Sequence, residues 1–360
     1  MTNNYSNLDL LRSLAVISVV AAHLFQTCVN SDDCVVSSRV SYLLGYMSFT
    51  GVMFFFVHTC LVLMLSMHRA PHIHLGRNFL IRRAFRIYPL CWATILLVQA
   101  TGLTDRPDVG LQSIGWPGLI SNFLLVQNIF FGYSKGNITG SLWSLPWEMQ
   151  MYLVLPLLFV VLRKYDNLYL AFWIWLSATL LAVIATFMRI PHSDGVIFPP
   201  MFMAGMVAYK LMDRQSAGQR GFRLPAILWP FFVLSLFLLE PLLVNGHRLM
   251  SPADPWSAAI DSCLCLGLGI AIPIFSELQT GWIVYLARHI ARYSYGIYLL
   301  HIPAFVFVFG HWHGLQLAVK VAASLSLTVL LSIAAYYTIE NPLIQMGKRL
   351  TAIHENAVPI

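Results

Sequence analysis

The chain has 360 residues, 58% of them hydrophobic and only 10% charged, with a mean hydropathy of +0.70. A soluble domain carries about 25% charged residues, so this composition excludes an ordinary soluble enzyme and specifies a polytopic membrane protein. The formal net charge of +7 does not call for a nucleic acid: the basic residues sit in short clusters between apolar runs, a positive-inside pattern and not a basic groove.

A membrane span needs about 20 predominantly apolar residues. In chain order the sequence predicts ten, at 8–28, 42–67, 79–101, 142–162, 168–188, 197–212, 224–245, 256–276, 283–310 and 316–340. The segment 113–131, "SIGWPGLISNFLLVQNIFF", is apolar but broken by Gly115, Pro117 and Gly118. It reads as a re-entrant or interfacial piece, with an eleventh span as the alternative. The expected fold is therefore all-α, a single membrane domain over residues 1–360 with no soluble extracytoplasmic domain. The start "MTNNYSN" lacks a basic n-region, so no cleavable signal peptide is expected.

Loop charges orient the spans. With the N-terminus inside, most of the 22 Lys and Arg residues fall at cytoplasmic ends, Arg77, Arg82, Arg83, Arg86, Arg163, Lys164, Lys348 and Arg349 among them. The outer side holds Arg39, Arg106, Lys135, Arg189, Arg248 and Lys320. That bias predicts both termini in the cytoplasm. Cys28 and Cys34 flank "VNSDD" in the first outer loop, where an oxidising compartment permits a small loop disulfide.

Ionisable groups inside spans usually have a task. The first span, "LDLLRSLAVISVVAAHLFQ", carries Arg12 and His23 eleven residues apart, about three turns and about 16 Å of rise, on nearly the same face. At the cytoplasmic start of the third span, "FLIRRAFRIYPL" places Arg82, Arg83 and Arg86 at helical spacing. Guanidinium forks match phosphate oxygens, and equally such arginines set topology. In "GSLWSLPWEMQMYLVLPLL", Glu148 lies about two turns into the fourth span with Tyr152 one turn deeper. An ion pair with an arginine is the plain alternative there. "ARYSYGIYLLHIPAF" puts Ser294 and His301 two turns apart on one face. His58 and Asp261 are further polar residues within spans. No glycine-rich nucleotide loop, metal-ligand cluster or nucleophile elbow is present.

Together, "LDLLRSLAVISVVAAHL", "RRAFRIYP", "LWSLPWEMQMYLVLP", "SYGIYLLHIP" and "IENPLI" resemble the acyltransferase family 3 integral membrane proteins, in the family's order and over nearly the whole chain. One departure is His58-Thr59-Cys60 after "FFFV", where the family commonly has a Ser-Gly-Phe-like segment. The resemblance implies transfer of an acyl group, usually acetyl from acetyl-CoA, to a hydroxyl of a lipopolysaccharide O-antigen, exopolysaccharide or lipid-linked glycan, in a bacterial inner membrane. On that reading Arg12, Arg82, Arg83 and Arg86 bind the coenzyme A phosphates from the cytoplasm. His23 is the general base, and Glu148 orients or charges His23 or holds the acceptor sugar. Trp143, Ser144, Tyr152, Ser294 and His301 line the acceptor side. Direct attack by the hydroxyl is favoured over an acyl-histidine intermediate. No metal is expected, and membrane lipid surrounds the spans. The competing class is a secondary transporter of a polar or lipid-linked substrate, against which stands the absence of visible inverted halves.

Overall fold

The computed structural model describes residues 5–35, 37–70, 74–105, 111–131, 136–190, 194–216, 222–243 and 255–356. The outer basic residues Arg106, Lys135 and Arg248, and the end of the seventh predicted span at 244–245, lie outside them. Among the described residues every regular element is helical, with one isolated bridge between Leu224 and Phe275.

In chain order the first helices are α1 (Ser6–Asn30), α2 (Ser38–Arg69), α3 (Leu75–Thr101), α4 (Leu111–Leu124) and α5 (Gln127–Phe131). A 3-10 turn at Gly140–Ser144 leads into α6 (Leu145–Tyr165), followed by α7 (Leu168–Phe187), α8 (Asp194–Ile197) and α9 (Pro199–Ser216). Then come α10 (Leu228–Leu243), α11 (Pro255–Ala271), α12 (Trp282–His311), α13 (Leu317–Ala335), a π turn at Tyr336–Glu340 and α14 (Asn341–Asn356).

Eight helical stretches among the described residues are long and apolar enough to cross a membrane, at the positions of eight of the ten predicted spans. The seventh and eighth predicted spans correspond to the shorter apolar helices α10 and α11. Their shortening has a local cause. Pro273 carries no N–H and cannot extend α11. Beyond it the backbone pairs sideways, Leu224 N donating to Ile274 O at 2.8 Å and Ser276 N to Leu224 O at 3.0 Å. The broken segment 113–131 forms two short helices. Gly115 leaves helical geometry at φ 61°, and Leu125 adopts φ 56° between α4 and α5. The 14 residues of α4 rise about 21 Å, short of the hydrocarbon thickness of about 30 Å.

The chain divides into two compact units. The first comprises residues 1–22, 37–68 and 158–292. Helices α7, α9 and α11 pack on one another within it. Helix α9 also meets α2 at Gly205, where a Cβ would stand 2.5 Å from the Val57 carbonyl oxygen, so only glycine permits that approach. The start of α1 is pinned by Asn7, whose N–H donates to Glu277 Oε2 at 2.9 Å and whose amide donates to Ser276 O at 2.9 Å. Burial of Glu277 raises its carboxyl above the ordinary range, opposed by the Asn7 hydrogen bond. Lys210, 1% exposed, is bonded to Asp166 and, at 3.0 Å, to Asp213.

The second unit comprises residues 23–36, 69–157 and 293–360. Its α14 packs along α3. The motif "IENPLI" supplies the π turn: Pro342 lacks an N–H and would crowd the carbonyl one turn back, and a widened turn lets the helix continue past it. Cys28 in the last turn of α1 is disulfide-bonded to Cys34 just past it, with Cα atoms 5.5 Å apart. Lys320, 3% exposed, donates to both Asp33 oxygens at 2.7 Å, fixing the loop that ends the helix carrying His23.

Candidate active site

The second unit gathers most of the polar residues singled out by sequence, and a hydrogen-bonded segment ahead of α6 sets their positions. Polar backbone at membrane depth must find partners inside the protein. The Asp105 carboxylate accepts from Gly140 N at 2.9 Å and from the Thr139 hydroxyl at 3.3 Å. The Asn122 amide donates to Gly118 O and Gly136 O at 2.9 and 2.6 Å, and its oxygen accepts from Ile138 N at 3.3 Å. Gln127 donates to Asn137 Oδ1 and Leu142 O at 3.1 and 3.3 Å. In turn α3 holds the end of α4, through Trp92 Nε1 donating to Phe123 O at 2.8 Å. The chain is thereby delivered to the first turn of α6 in a fixed register.

That register buries Glu148, 6% exposed, as the acceptor of the Tyr152 hydroxyl hydrogen bond. The two are four apart on α6, neighbours on one helix face. From α3, Arg83 interacts electrostatically with both Glu148 and Tyr152, and Arg86 with Tyr152. The plain reading of Glu148 as a carboxylate near an arginine and the functional reading of Arg83 thus meet at one place. Arg83 Nε is buried with no hydrogen-bond partner among the described residues. Arg83 and Arg86 also repel each other, a repulsion that a phosphate would relieve. Arg82 turns to α14, its Nε donating to the fully buried Thr351 hydroxyl at 2.8 Å.

Helix α12 supplies the third side. The Tyr295 hydroxyl donates to Ile87 O at 2.6 Å, tying α12 to α3 just beyond the arginines. The Tyr298 and Ser144 hydroxyls share a hydrogen bond of 2.8 Å, and Tyr298 interacts electrostatically with Glu148. Ser294, 1% exposed, lies one turn earlier. One turn beyond Tyr298, the buried His301 ring stands 5.0 Å from the His23 ring, centroid to centroid. Its Nε2 is 3.1 Å from His23 Nδ1, and its Nδ1 is 3.0 Å from the Ile297 carbonyl oxygen. His23 itself is half-buried.

The sequence reading has Glu148 orient or charge His23 or hold the acceptor sugar. In the structure His23 Nδ1 makes a hydrogen bond with His301, and Glu148 accepts from Tyr152. Trp143 is half-buried on the 3-10 turn. Arg12, His58 and Asp261 belong to the first unit; there the Arg12 guanidinium carbon lies 5.2 Å from the Phe55 ring centroid. The sequence reading missed Tyr295 and Tyr298, although Tyr298 sits four residues past Ser294 and three before His301 and so shares their face. It also missed Asp105, Asn122 and Gln127, whose partners are backbone groups distant in sequence.

A testable consequence concerns the arginines. If these arginines hold a phosphate-bearing donor such as acetyl-CoA, replacing Arg83 and Arg86 together by alanine is expected to weaken its binding. The expected loss is about 1.5–3 kcal/mol for each charge-assisted hydrogen bond removed, measured by calorimetry on folded protein. Unchanged affinity would remove them from donor binding.

The sequence model of the acyltransferase 3 family, described as an acyltransferase domain, matches residues 5–337. No curated protein and no solved structure matches the chain.

Proposed function

The chain belongs to the acyltransferase 3 family and is a membrane acyltransferase; from that premise we propose that it moves an acetyl group from acetyl-CoA to a hydroxyl of a surface or lipid-linked glycan. The observation that supports this reading is one succession of polar groups within the second unit. It starts at Arg83 and Arg86, passes Tyr152 and Glu148, continues through Ser144 and Tyr298 and ends at His301 and His23. A thioester donor needs anion-binding groups at one end and a proton acceptor at the other, and this succession offers both.

In the proposed reaction Arg83 and Arg86, with Arg82 beside them, hold the donor phosphates by charge-assisted hydrogen bonds. His23 accepts the proton of the glycan hydroxyl, because imidazole titrates near neutral pH and is well matched to general-base work. The hydroxyl oxygen attacks the thioester carbonyl, the carbon–sulfur bond breaks, and the thiolate recovers a proton from the His23 imidazolium. Thiolate is a good leaving group, so a strong general acid is unnecessary. Ser144 and Tyr298 present hydroxyls where an acceptor sugar would lie, and Glu148 supplies a carboxylate either to that sugar or to the charge balance of Arg83.

The acceptors that rank first are lipopolysaccharide O-antigen, exopolysaccharide and lipid-linked glycan intermediates, with the protein in a bacterial inner membrane. Mass spectrometry of surface glycans from cells with and without the protein tests this. Loss of an acetyl substituent without the protein is expected, and glycans of unchanged mass would refute the acceptor class.

A further inference from the structure

His301 sits on the hydrogen-bonding side of His23, and its two contacts determine where protons can be. The Ile297 carbonyl oxygen, 3.0 Å from His301 Nδ1, has no proton to give, so Nδ1 must carry one. His301 is 0% exposed, and charging a side chain there is costly. A neutral imidazole holds a single N–H, so His301 Nε2 bears a lone pair. The 3.1 Å contact between that Nε2 and His23 Nδ1 therefore needs its proton from His23.

We infer that His301 is a positioning residue: by accepting from His23 Nδ1 it fixes His23 in the tautomer that leaves the Nε2 lone pair to take the proton of an acceptor hydroxyl. The inference rests on the acyl-transfer reading above and says which nitrogen acts and why. The opposite proton arrangement, with His301 donating from Nε2, would place the proton of neutral His23 on Nε2 and disable it as a base. In the reaction the O–H proton moves to His23 Nε2, the ester C–O bond forms and the C–S bond breaks. The resulting imidazolium keeps its Nδ1–H directed at the His301 lone pair, and its Nε2 proton passes to the coenzyme A thiolate. His301 thus does for His23 what a carboxylate does for the histidine of a hydrolase triad, as a neutral acceptor that adds no second buried charge. Ring packing holds it in place: the Phe305 ring stands 5.6 Å away in an edge contact, and Tyr298 stands 6.2 Å away on the preceding turn.

Nitrogen-15 NMR of histidine-labelled full-length protein in lipid bilayers tests this, the His23 signals being assigned by their loss in His23→Ala. Wild type is expected to show His23 protonated at Nδ1 and bare at Nε2. A His23 protonated at Nε2 would overturn the proposal. In acetyl transfer, His301→Phe is expected to lower kcat by about 10²–10⁴-fold with little change in KM for acetyl-CoA. His301→Gln, whose amide oxygen can accept from Nδ1–H, is expected to restore most of that loss. Equal kcat in His301→Phe and wild type would also overturn it, and if His301→Phe does not fold the wild-type spectrum still decides. The tautomer is read without substrate. A protein with the expected tautomer but no transfer would therefore sink the acyl-transfer reading and leave the histidine pairing standing.

Discussion

Replacing His23 by alanine is expected to reduce acetyl transfer by about 10²–10⁴-fold, the contribution a positioned general base makes, while acetyl-CoA still binds. His23 lies on α1, in the second unit, whereas the arginines proposed to hold the donor phosphates lie on α3. Removing the imidazole therefore takes away the proton acceptor and leaves the anion-binding groups intact. The loss corresponds to about 3–5 kcal/mol of transition-state stabilisation. The side chain is half-buried, and truncation leaves the buried His301 without its His23 partner, a cost of about 1–3 kcal/mol. Transfer at the wild-type rate by a well-expressed His23→Ala protein would end the mechanism. Acetyl found on His23 when acceptor is withheld would replace direct attack with a two-step route.

Glu148→Ala is expected to be the most damaging change in stability as well as activity. The carboxylate is 6% exposed, accepts from the Tyr152 hydroxyl and faces the charge of Arg83. Deleting it removes a carboxylate that interacts electrostatically with the largely buried Arg83 guanidinium. It also leaves a fully buried tyrosine hydroxyl without its acceptor. Glu148→Gln separates the two consequences. The amide keeps the shape and can accept from Tyr152, so this variant is expected to fold and to bind donor, with transfer reduced at least about tenfold through loss of the charge. Thermal melts in detergent read the first effect and initial rates the second. A Glu148→Gln protein as active as wild type would confine Glu148 to packing.

The bundle was legible in the sequence because apolar run length is a physical requirement of the bilayer and not a statistical tendency. The predicted first, third and fourth spans coincide closely with α1, α3 and the stretch from Gly140 to Tyr165. The errors have identifiable sources. The eighth predicted span runs five residues past α11 because hydropathy does not register Pro273 or the sideways pairing of Leu224. The tenth was expected to end at 340, but the helical stretch continues to Ala352, because a π turn absorbs Pro342. Intramembrane ionisable residues were equally legible as candidates, being too costly to keep without a task. Their partners were not. Nothing in the spacing of His23 says that it meets a histidine 278 positions away. Position along a span fixes one coordinate of a side chain, whereas pairing also needs its rotation about the helix axis and the identity of the neighbouring helix.

The central claim is that this membrane acyltransferase carries an acyl group from a coenzyme A thioester to a glycan hydroxyl through His23. Purified protein reconstituted in lipid vesicles, supplied with trideuteroacetyl-CoA and an extracted surface glycan, tests it most directly. The account predicts deuterated acetyl ester on the glycan, one free coenzyme A thiol for each ester formed, and neither product from His23→Ala. Unlabelled glycan from a wild-type protein that binds the donor, or equal labelling by the His23→Ala protein, would contradict it.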